Sequence, residues 1–318
     1  MSVYIFLVIG FIFLIKGADF FVDGASNIAR LLRVPSIIIG LTIVSLGTSS
    51  PEATVSIVAA LEDSAEVSLG NVIGSNIFNL TLVVGTAAII FPLKVETETV
   101  RKEIPFTLLA SVALLVVMSD VTLEGLNDNF ITRSDGLIFL LFLYIFMSYV
   151  IEVALKNRKN TEADAMAVDV TWGKNILVTI FGLTGIIIGG ELVVSNATEI
   201  AYRWGMSETL TGLTIVSIGT SLPELVTSVT AALKKESEIA LGNIVGSNIF
   251  NILFVLGVSS AITPLAVNGK VFTDVYLMLL ITVVLLIFSR TNFRVGKREG
   301  LILIAFYIAY MVYIILRN

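Results

Sequence analysis

Long apolar runs separated by short polar stretches dominate this chain. Ten of the runs approach the roughly 20 residues that an α-helix needs to cross the hydrocarbon core of a bilayer. The pattern therefore predicts an all-α membrane protein with ten transmembrane helices. Their approximate limits are 3–28, 35–61, 67–90, 104–119, 134–155, 175–200, 207–233, 239–261, 274–289 and 299–316.

Two stretches of the chain occur twice, 172 residues apart. GLTIVSLGTSSPEATVSIVAAL from Gly40 matches GLTIVSIGTSLPELVTSVTAAL from Gly212, and LGNVIGSNIFNL from Leu69 matches LGNIVGSNIFNI from Leu241. Each half then holds five apolar runs, and an odd number means that the second half enters the membrane from the opposite face. The sequence thus predicts two inverted five-helix repeats, the architecture of many secondary transporters. The predicted units are a first repeat at 1–155, a cytoplasmic linker at 156–174 and a second repeat at 175–318.

Composition supports this class and restricts the chemistry. Of the 318 residues, 56% are hydrophobic and 14% are charged, and the mean hydropathy is +0.96. A soluble domain of this length would need a more polar exterior. The chain has no Cys and no His, which excludes thiolate and imidazole ligands and the commonest general base. A bound metal ion would have to be held by oxygen atoms, the ligands of hard ions.

Basic residues are concentrated on one side of the ten predicted helices. By the positive-inside rule, this side is cytoplasmic and both termini are extracellular or periplasmic. We therefore expect a multi-pass protein of the cell (inner) membrane. The predicted cytoplasmic set is Arg30, Arg33, Lys94, Arg101, Lys102, Lys156, Arg158, Lys159, Lys174, Lys234, Lys235, Arg290, Arg294, Lys297 and Arg298. The other side holds Arg133, Arg203, Lys270 and Arg317.

Each half carries one glutamate at the end of a helix-breaking sequence, GTSSPE at Glu52 and GTSLPE at Glu224. Gly adopts unusual backbone angles, and Pro cannot continue a helix but suits the first turn of a new one. Helices 2 and 7 are therefore predicted to be broken near mid-membrane, which would free carbonyl groups at 45–48 and 217–220. A carboxylate at this depth costs about 2.5–3.5 kcal/mol on insertion scales. Two negative charges among carbonyl and hydroxyl oxygens fit one Ca²⁺.

A second motif, GNxxGSNxFN, lies in helices 3 and 8, and we expect these helices to be broken too. Its glycines, four residues apart, allow close helix packing. Ser75 and Asn79 share a helix face, as do Ser247 and Asn251, so these four side chains are candidates for the same ion site.

Structural roles are the alternative for all of these groups. The two glutamates could be protonated and hydrogen-bond neighbouring helices. Amides, Asn71 and Asn243 in particular, could join helices without touching an ion. Lys16 and Asp19, three residues apart in the first run, could form an interfacial ion pair.

The paired G-T-S-x-P-E and G-N-x-x-G-S-N motifs resemble those of prokaryotic sodium/calcium exchangers of the calcium/cation antiporter superfamily, and the resemblance extends over all ten helices. It implies an antiporter that exchanges Ca²⁺ for Na⁺ by alternating access, with the first and sixth helices sliding over four ion sites at the repeat interface. The implied calcium ligands are the carboxylates of Glu52 and Glu224 and the carbonyls of Thr48 and Thr220. The implied sodium or central sites add Ser45, Ser49, Ser75, Ser217, Ser221, Ser247, Asn79 and Asn251.

One departure from the family pattern leaves the coupling ion open. Many sodium/calcium exchangers have Asp at one of the two final positions, whereas Asn79 and Asn251 are both neutral here. The site then carries two negative charges, which one Ca²⁺, two Na⁺ or two H⁺ would balance. Exchange of H⁺ for Ca²⁺ is therefore an alternative, although the hydroxyl pairs at 48–49 and 220–221 favour Na⁺.

Two other classes of function are less favoured by the sequence. A passive cation channel usually needs a pore built by several subunits. A membrane enzyme would need a nucleophile–base pair or a metal triad beside the glutamates. We expect no cofactor, no nucleic acid and no obligatory protein partner, so the expected partners are Ca²⁺, Na⁺ and the lipid bilayer.

Overall fold

A computed structural model describes residues 2–160, 172–205, 217–291 and 293–317. Over this part of the chain the structure is helical, with four two-residue strands. The helices of the first half are α1 (Ser2–Leu32), α2 (Ser36–Thr48), α3 (Ser50–Leu61), α4 (Ala65–Ile90), α5 (Ile104–Val117), α6 (Asp120–Leu123) and α7 (Arg133–Asn160). Those of the second half are α8 (Trp172–Arg203), α9 (Ser217–Thr220), α10 (Leu222–Leu233), α11 (Ser237–Ile262), α12 (Gly269–Arg290) and α13 (Lys297–Arg317).

Within the described residues, the apolar runs are helical. Seven described helices, α1, α4, α7, α8, α11, α12 and α13, are long and apolar enough to cross a membrane, and α2, α3 and α10 are shorter apolar helices. A turn of π-helix at Thr99–Glu103 leads into α5. The all-α membrane class is therefore confirmed, while residues 206–216, which include most of the first half of predicted helix 7, lie outside the described residues.

The predicted interruptions at the two glutamate motifs are present but only one residue wide. Ser49, with φ −80° and ψ 5°, separates α2 from α3, and Ser221, with φ −90° and ψ 4°, separates α9 from α10. The Ser49 amide still donates to the Ser45 carbonyl at 2.9 Å. The Ser45 carbonyl, which was expected to be free, therefore accepts a hydrogen bond across the break. Its role as an ion ligand stays a prediction, because a carbonyl oxygen can accept a hydrogen bond and contact a cation at the same time.

The prediction of broken helices in segments 3 and 8 is also wrong. α4 and α11 run without interruption, and each contains a π-helical stretch, at Asn79–Val83 and Asn251–Leu256. A π-turn accommodates an extra residue while its backbone groups keep hydrogen bonding to one another. The GNxxGSN motif contains no Pro, so no backbone donor is missing. α4 and α11 therefore bulge at this motif, whereas the proline-containing glutamate motifs interrupt their helices.

α11 lies at the centre of the protein and α1 at its edge. The most apolar 18-residue stretch of α11 is 94% buried, against 33% for that of α1 and of α8. α1 and α8 pack on each other through glycines that permit backbone contact. A Cβ at Gly17 would lie 2.7 Å from the Ile186 amide nitrogen, and one at Gly182 would lie 2.4 Å from the Phe21 amide nitrogen.

Two short strand pairs join the halves. β1 (Leu93–Lys94) pairs antiparallel with β4 (Arg294–Val295), and β2 (Phe130–Ile131) pairs antiparallel with β3 (Leu265–Ala266). Each pair takes one strand from each half. The turn after α4 is thus paired with the second half and the turn after α11 with the first half.

Candidate ion-binding site

The two glutamates occupy equivalent places in the fold. Glu52 is the third residue of α3 and Glu224 the third residue of α10, each directly after the proline of the first turn. Both residues have no solvent-exposed surface. A helix N-terminus carries a partial positive charge, which favours an acidic side chain in the first turn. The interruption thus supplies each buried carboxylate with a new helix start.

Hydrogen bonds cross between the halves at the two interruptions. Ser49 Oγ donates to Glu224 Oε1 at 2.9 Å, and Ser221 Oγ lies 2.9 Å from Glu52 Oε1. Each serine therefore contacts the glutamate of the other half. Because Ser49 and Glu52 are only three residues apart, these reciprocal contacts bring both interruptions and both carboxylates into one region.

Two further serines from the central helices reach the same region. Ser75 Oγ lies 2.9 Å from Ser221 Oγ, and Ser247 Oγ lies 3.4 Å from Glu224 Oε1. A hydroxyl has one hydrogen and an ionised carboxylate can only accept, so Ser221 donates to Glu52 and accepts from Ser75. The remaining lone pairs of Ser221 and Ser75 are therefore available as cation ligands beside the two carboxylates.

The threonines before each interruption bond to asparagines of the opposite half. Thr48 Oγ1 donates to Asn243 Oδ1 at 3.0 Å, and Thr220 Oγ1 donates to Asn71 Oδ1 at 3.2 Å. These contacts engage the threonine side chains, whereas the predicted calcium ligands are the threonine carbonyls.

Asn71 and Asn243 hold the helices that carry the glutamates. Asn71 Nδ2 donates to the Glu52 carbonyl at 3.2 Å and to Ser56 Oγ at 2.9 Å. Asn243 Nδ2 makes the matching bonds to the Glu224 carbonyl at 3.4 Å and to Ser228 Oγ at 2.9 Å. Since both ends of each amide contact protein groups, the geometry favours the supporting role for this pair.

The asparagines that open the π-turns meet across the halves. Asn79 Nδ2 donates to Asn248 Oδ1 at 3.3 Å, and Asn251 Nδ2 donates to Asn76 Oδ1 at 3.0 Å. Sequence reasoning missed Asn76 and Asn248 as parts of the site. The available signal was the third residue of GSN, which is repeated 172 residues apart like its neighbours.

Four buried oxygen atoms in this region have no hydrogen-bond partner within the described part of the chain. They are Glu52 Oε2, Glu224 Oε2, Asn79 Oδ1 and Asn251 Oδ1. An unsatisfied buried polar group costs about 1–3 kcal/mol, and more when it is charged. If the glutamates are ionised, all four atoms are acceptors. A cation is a natural partner for buried acceptor oxygens that receive no hydrogen bond.

The other predicted ligands are placed as follows. Ser45 is buried, and its Oγ donates to the Thr42 carbonyl at 3.3 Å. The side chain of Ser217 lies outside the described residues. No group of three or more acidic, His or Cys side chains converges anywhere in the described ranges. The site therefore combines two carboxylates with neutral oxygens from serine, threonine and asparagine.

The charged residues of α1 do not pair as expected. The predicted Lys16–Asp19 pair is wrong, because Asp19 pairs with Lys234 at the end of α10. Lys234 Nζ lies 2.6 Å from Asp19 Oδ1 and 2.7 Å from Asp23 Oδ1, and it also donates to the Asp19 carbonyl. These bonds connect the outer helix α1 to the helix that carries Glu224.

Comparisons with known proteins find similar sequences over almost the whole chain. The family model described as sodium/calcium exchanger protein matches residues 2–152 and 174–316. The chain is 35% identical over 315 residues to the inner membrane protein YrbG of Escherichia coli (strain K12), with 96% of this chain and 94% of YrbG covered. It is 34% identical over 340 residues to the sodium/calcium exchanger MaX1 of Methanosarcina acetivorans, with 97% of each covered.

A solved structure is similar over almost the whole chain. It is the sodium-calcium exchanger NCX_Mj soaked with 2.5 mM Na⁺ and 0.1 mM Ca²⁺. The TM-score is 0.84 at 29% sequence identity, and 98% of each chain is covered.

Proposed function

The chain belongs to the sodium/calcium exchanger protein family, and on this premise we propose that it is a secondary active antiporter that exchanges Ca²⁺ for Na⁺ by alternating access. The family is one of transporters rather than enzymes. Its ions are the transported substrates, and no cofactor takes part in the proposal.

The observation that carries the proposal is the set of four buried acceptor oxygens without partners, two from glutamates and two from asparagines. Two carboxylates in a low-dielectric interior need a counter-charge, because leaving one unpaired is costly. One Ca²⁺ or two Na⁺ supplies the charge that is needed. Since both ions would compete for the same carboxylates, one must leave before the other binds, which produces exchange rather than leak.

We assign the ligands as the sequence predicts. Ca²⁺ would be held by the carboxylates of Glu52 and Glu224 and the carbonyls of Thr48 and Thr220. The sodium and central sites would use Ser45, Ser49, Ser75, Ser217, Ser221, Ser247, Asn79 and Asn251. The cross-half contacts of Ser49 and Ser221 support this assignment, because the oxygens that they bring together come from both repeats.

We further propose that the chain forms ten transmembrane helices in two inverted repeats of the cell membrane, with the basic loops in the cytoplasm and both termini outside. α1 and α8 would slide as one unit over the central helices. Their backbone-to-backbone packing and low burial support a joint movement.

The test is calcium flux into proteoliposomes at clamped membrane potential, with a gradient of Na⁺, K⁺ or H⁺ imposed in turn. We expect only the Na⁺ gradient to drive ⁴⁵Ca²⁺ against its own gradient. Flux of Ca²⁺ that needs no counter-ion would contradict antiport and indicate a channel.

Exchange of H⁺ for Ca²⁺ is the second candidate, and the neutral side chains of Asn79 and Asn251 favour it. With two carboxylates as the only charges, two protons balance the site as well as one Ca²⁺ does. The same experiment separates the two candidates, because a pH gradient without Na⁺ would then drive uptake.

A further inference from the structure

We infer that Asn76 and Asn248 are positioning residues, which turn the amides of Asn79 and Asn251 so that their oxygens face the bound ion. This inference rests on the proposed function, since it concerns the same ion site. Asn76 and Asn248 are 1% and 0% exposed, so water does not compete for their hydrogen bonds.

The orientation of Asn76 follows from a backbone group. Asn76 Nδ2 lies 3.4 Å from the Asn248 main-chain carbonyl, which can only accept a hydrogen bond. The NH₂ group of Asn76 must therefore face that carbonyl, and its Oδ1 faces away from it. Oδ1 of Asn76 is the atom that accepts from Asn251 Nδ2 at 3.0 Å.

This chain of bonds fixes Asn251 in turn. An amide that gives its NH₂ group to Asn76 directs its oxygen to the opposite side, and Asn251 Oδ1 is one of the four oxygens without a donor. The main chain thus orients Asn76, and Asn76 orients Asn251. Without Asn76, the amide of Asn251 could rotate and present its NH₂ group, whose partial positive charge would repel a cation.

The second half of the arrangement is similar but less constrained. Asn79 Nδ2 donates to Asn248 Oδ1 at 3.3 Å, which leaves Asn79 Oδ1 without a donor. The Nδ2 atom of Asn248, however, has no partner within the described part of the chain. We therefore expect Asn76 to restrict the orientation of the Asn251 amide more strongly than Asn248 restricts that of the Asn79 amide.

The experiment exploits the difference between an amide and a carboxylate. An aspartate presents an oxygen whichever way its group is turned, so it does not need to be oriented. We expect Asn76→Ala to weaken equilibrium ⁴⁵Ca²⁺ binding to the purified protein by about tenfold, the loss of one well-placed ligand. In the Asn251→Asp background the same change should weaken binding by less than about threefold.

A matched control separates positioning from damage to the fold. Asn175 is also buried, and it accepts a cross-helix bond from Asn27 at 3.0 Å, between α8 and α1. Asn175→Ala should have the same effect on Ca²⁺ binding in the wild-type and Asn251→Asp backgrounds. Thermal unfolding in detergent reports on the fold of each variant. If Asn76→Ala does not fold, the pair Asn248→Ala and Asn248→Ala with Asn79→Asp tests the same relation.

The outcomes are distinct. An unchanged affinity in Asn76→Ala would overturn the inference, and so would an equal loss in the wild-type and Asn251→Asp backgrounds, because a merely structural residue gives additive effects. If the wild-type protein binds neither Ca²⁺ nor Na⁺, the proposed function fails, and the inference that rests on it is overturned as well; this outcome is seen in the wild type alone, before any variant is measured.

Discussion

The two halves of this protein are nearly identical where they meet and different at their edges. At the centre, the bond from Ser49 to Glu224 has the same length, 2.9 Å, as the contact between Ser221 and Glu52. The threonine–asparagine and asparagine–asparagine contacts also occur in matching pairs. The proposed alternating access requires a site that binds the same ions from two faces, and equivalent groups from the two repeats fit this requirement.

The edges lack this equivalence. Asp19 and Asp23 of α1 bind Lys234 at the end of α10. The residues 172 positions away from these three are Glu191, Ser195 and Glu62, which include no cation. The corresponding ion pair therefore cannot form in the other half. Under the proposed function, the centre would determine which ions bind, whereas the edges would make one conformation more stable than its inverted counterpart.

Substitution of the two glutamates is the strongest test of whether the two halves are equivalent at the centre. Glu52→Gln and Glu224→Gln should each reduce Na⁺-driven ⁴⁵Ca²⁺ flux to less than about 1% of wild type, because one charge that balances the ion is lost in the low-dielectric interior. The two losses should be equal. Glu62→Gln, at an exposed position after α3, is the control and should keep normal flux.

Measurable flux in either glutamine variant, with the other inactive, would show that the two carboxylates are not equivalent. Full flux in both would exclude them as ligands.

Close packing of α1 on α8 provides the second test. Gly182→Ala should lower the free energy of unfolding by about 1–3 kcal/mol, the usual cost of overpacking, because its Cβ would lie 2.4 Å from the Phe21 amide nitrogen. Gly190→Ala, on the same helix, places its Cβ 3.6 Å from Pro223 Cγ and should be tolerated. Thermal unfolding of both variants in detergent measures the difference. Equal unfolding temperatures would contradict the backbone contact.

The contrast between centre and edge also marks the limit of prediction from sequence. Repetition of whole motifs predicted the equivalence of the two halves, and Pro51 and Pro223 predicted the interruptions beside the glutamates, because proline acts locally. The π-turns at Asn79 and Asn251 were not predicted, since glycine and asparagine permit several backbone forms and tertiary packing selects among them.

Partners that lie far apart in the chain could not be predicted at all. The spacing of Lys16 and Asp19 suggested a local pair, but folding brings Lys234 to Asp19. In the same way, nothing local to Ser49 indicates that it bonds to Glu224 rather than to Glu52. Such contacts depend on how the halves cross, and this is fixed by the packing of the whole bundle.

Serines at the interruptions offer a finer comparison of the halves. Ser221 Oγ contacts both Glu52 Oε1 and Ser75 Oγ, whereas Ser49 Oγ bonds to Glu224 Oε1. Removing Ser221 disturbs two potential ligands, so Ser221→Ala should raise the Na⁺ concentration for half-maximal flux by about tenfold and Ser49→Ala by about threefold. Equal shifts, or a larger shift in Ser49→Ala, would show that the Ser75 contact has no role in Na⁺ binding.

The smallest expected effect concerns the ion pair that distinguishes the edges. Its side chains are partly exposed, and exposed ion pairs contribute about 0.2–1 kcal/mol, so Lys234→Met should shift the balance of two conformations by at most about fivefold. The proposed sliding of α1 would separate Asp19 and Asp23 from Lys234, so the apparent Ca²⁺ affinity should rise on one face of the membrane and fall on the other. Flux measured separately from each face of oriented vesicles reports both values.

Lys235→Met is the control, because it removes a neighbouring charge without breaking this pair, and it should change neither affinity. Parallel changes on both faces would mean that the pair stabilises the fold as a whole, and the asymmetry of the edges would then have no part in the choice of conformation.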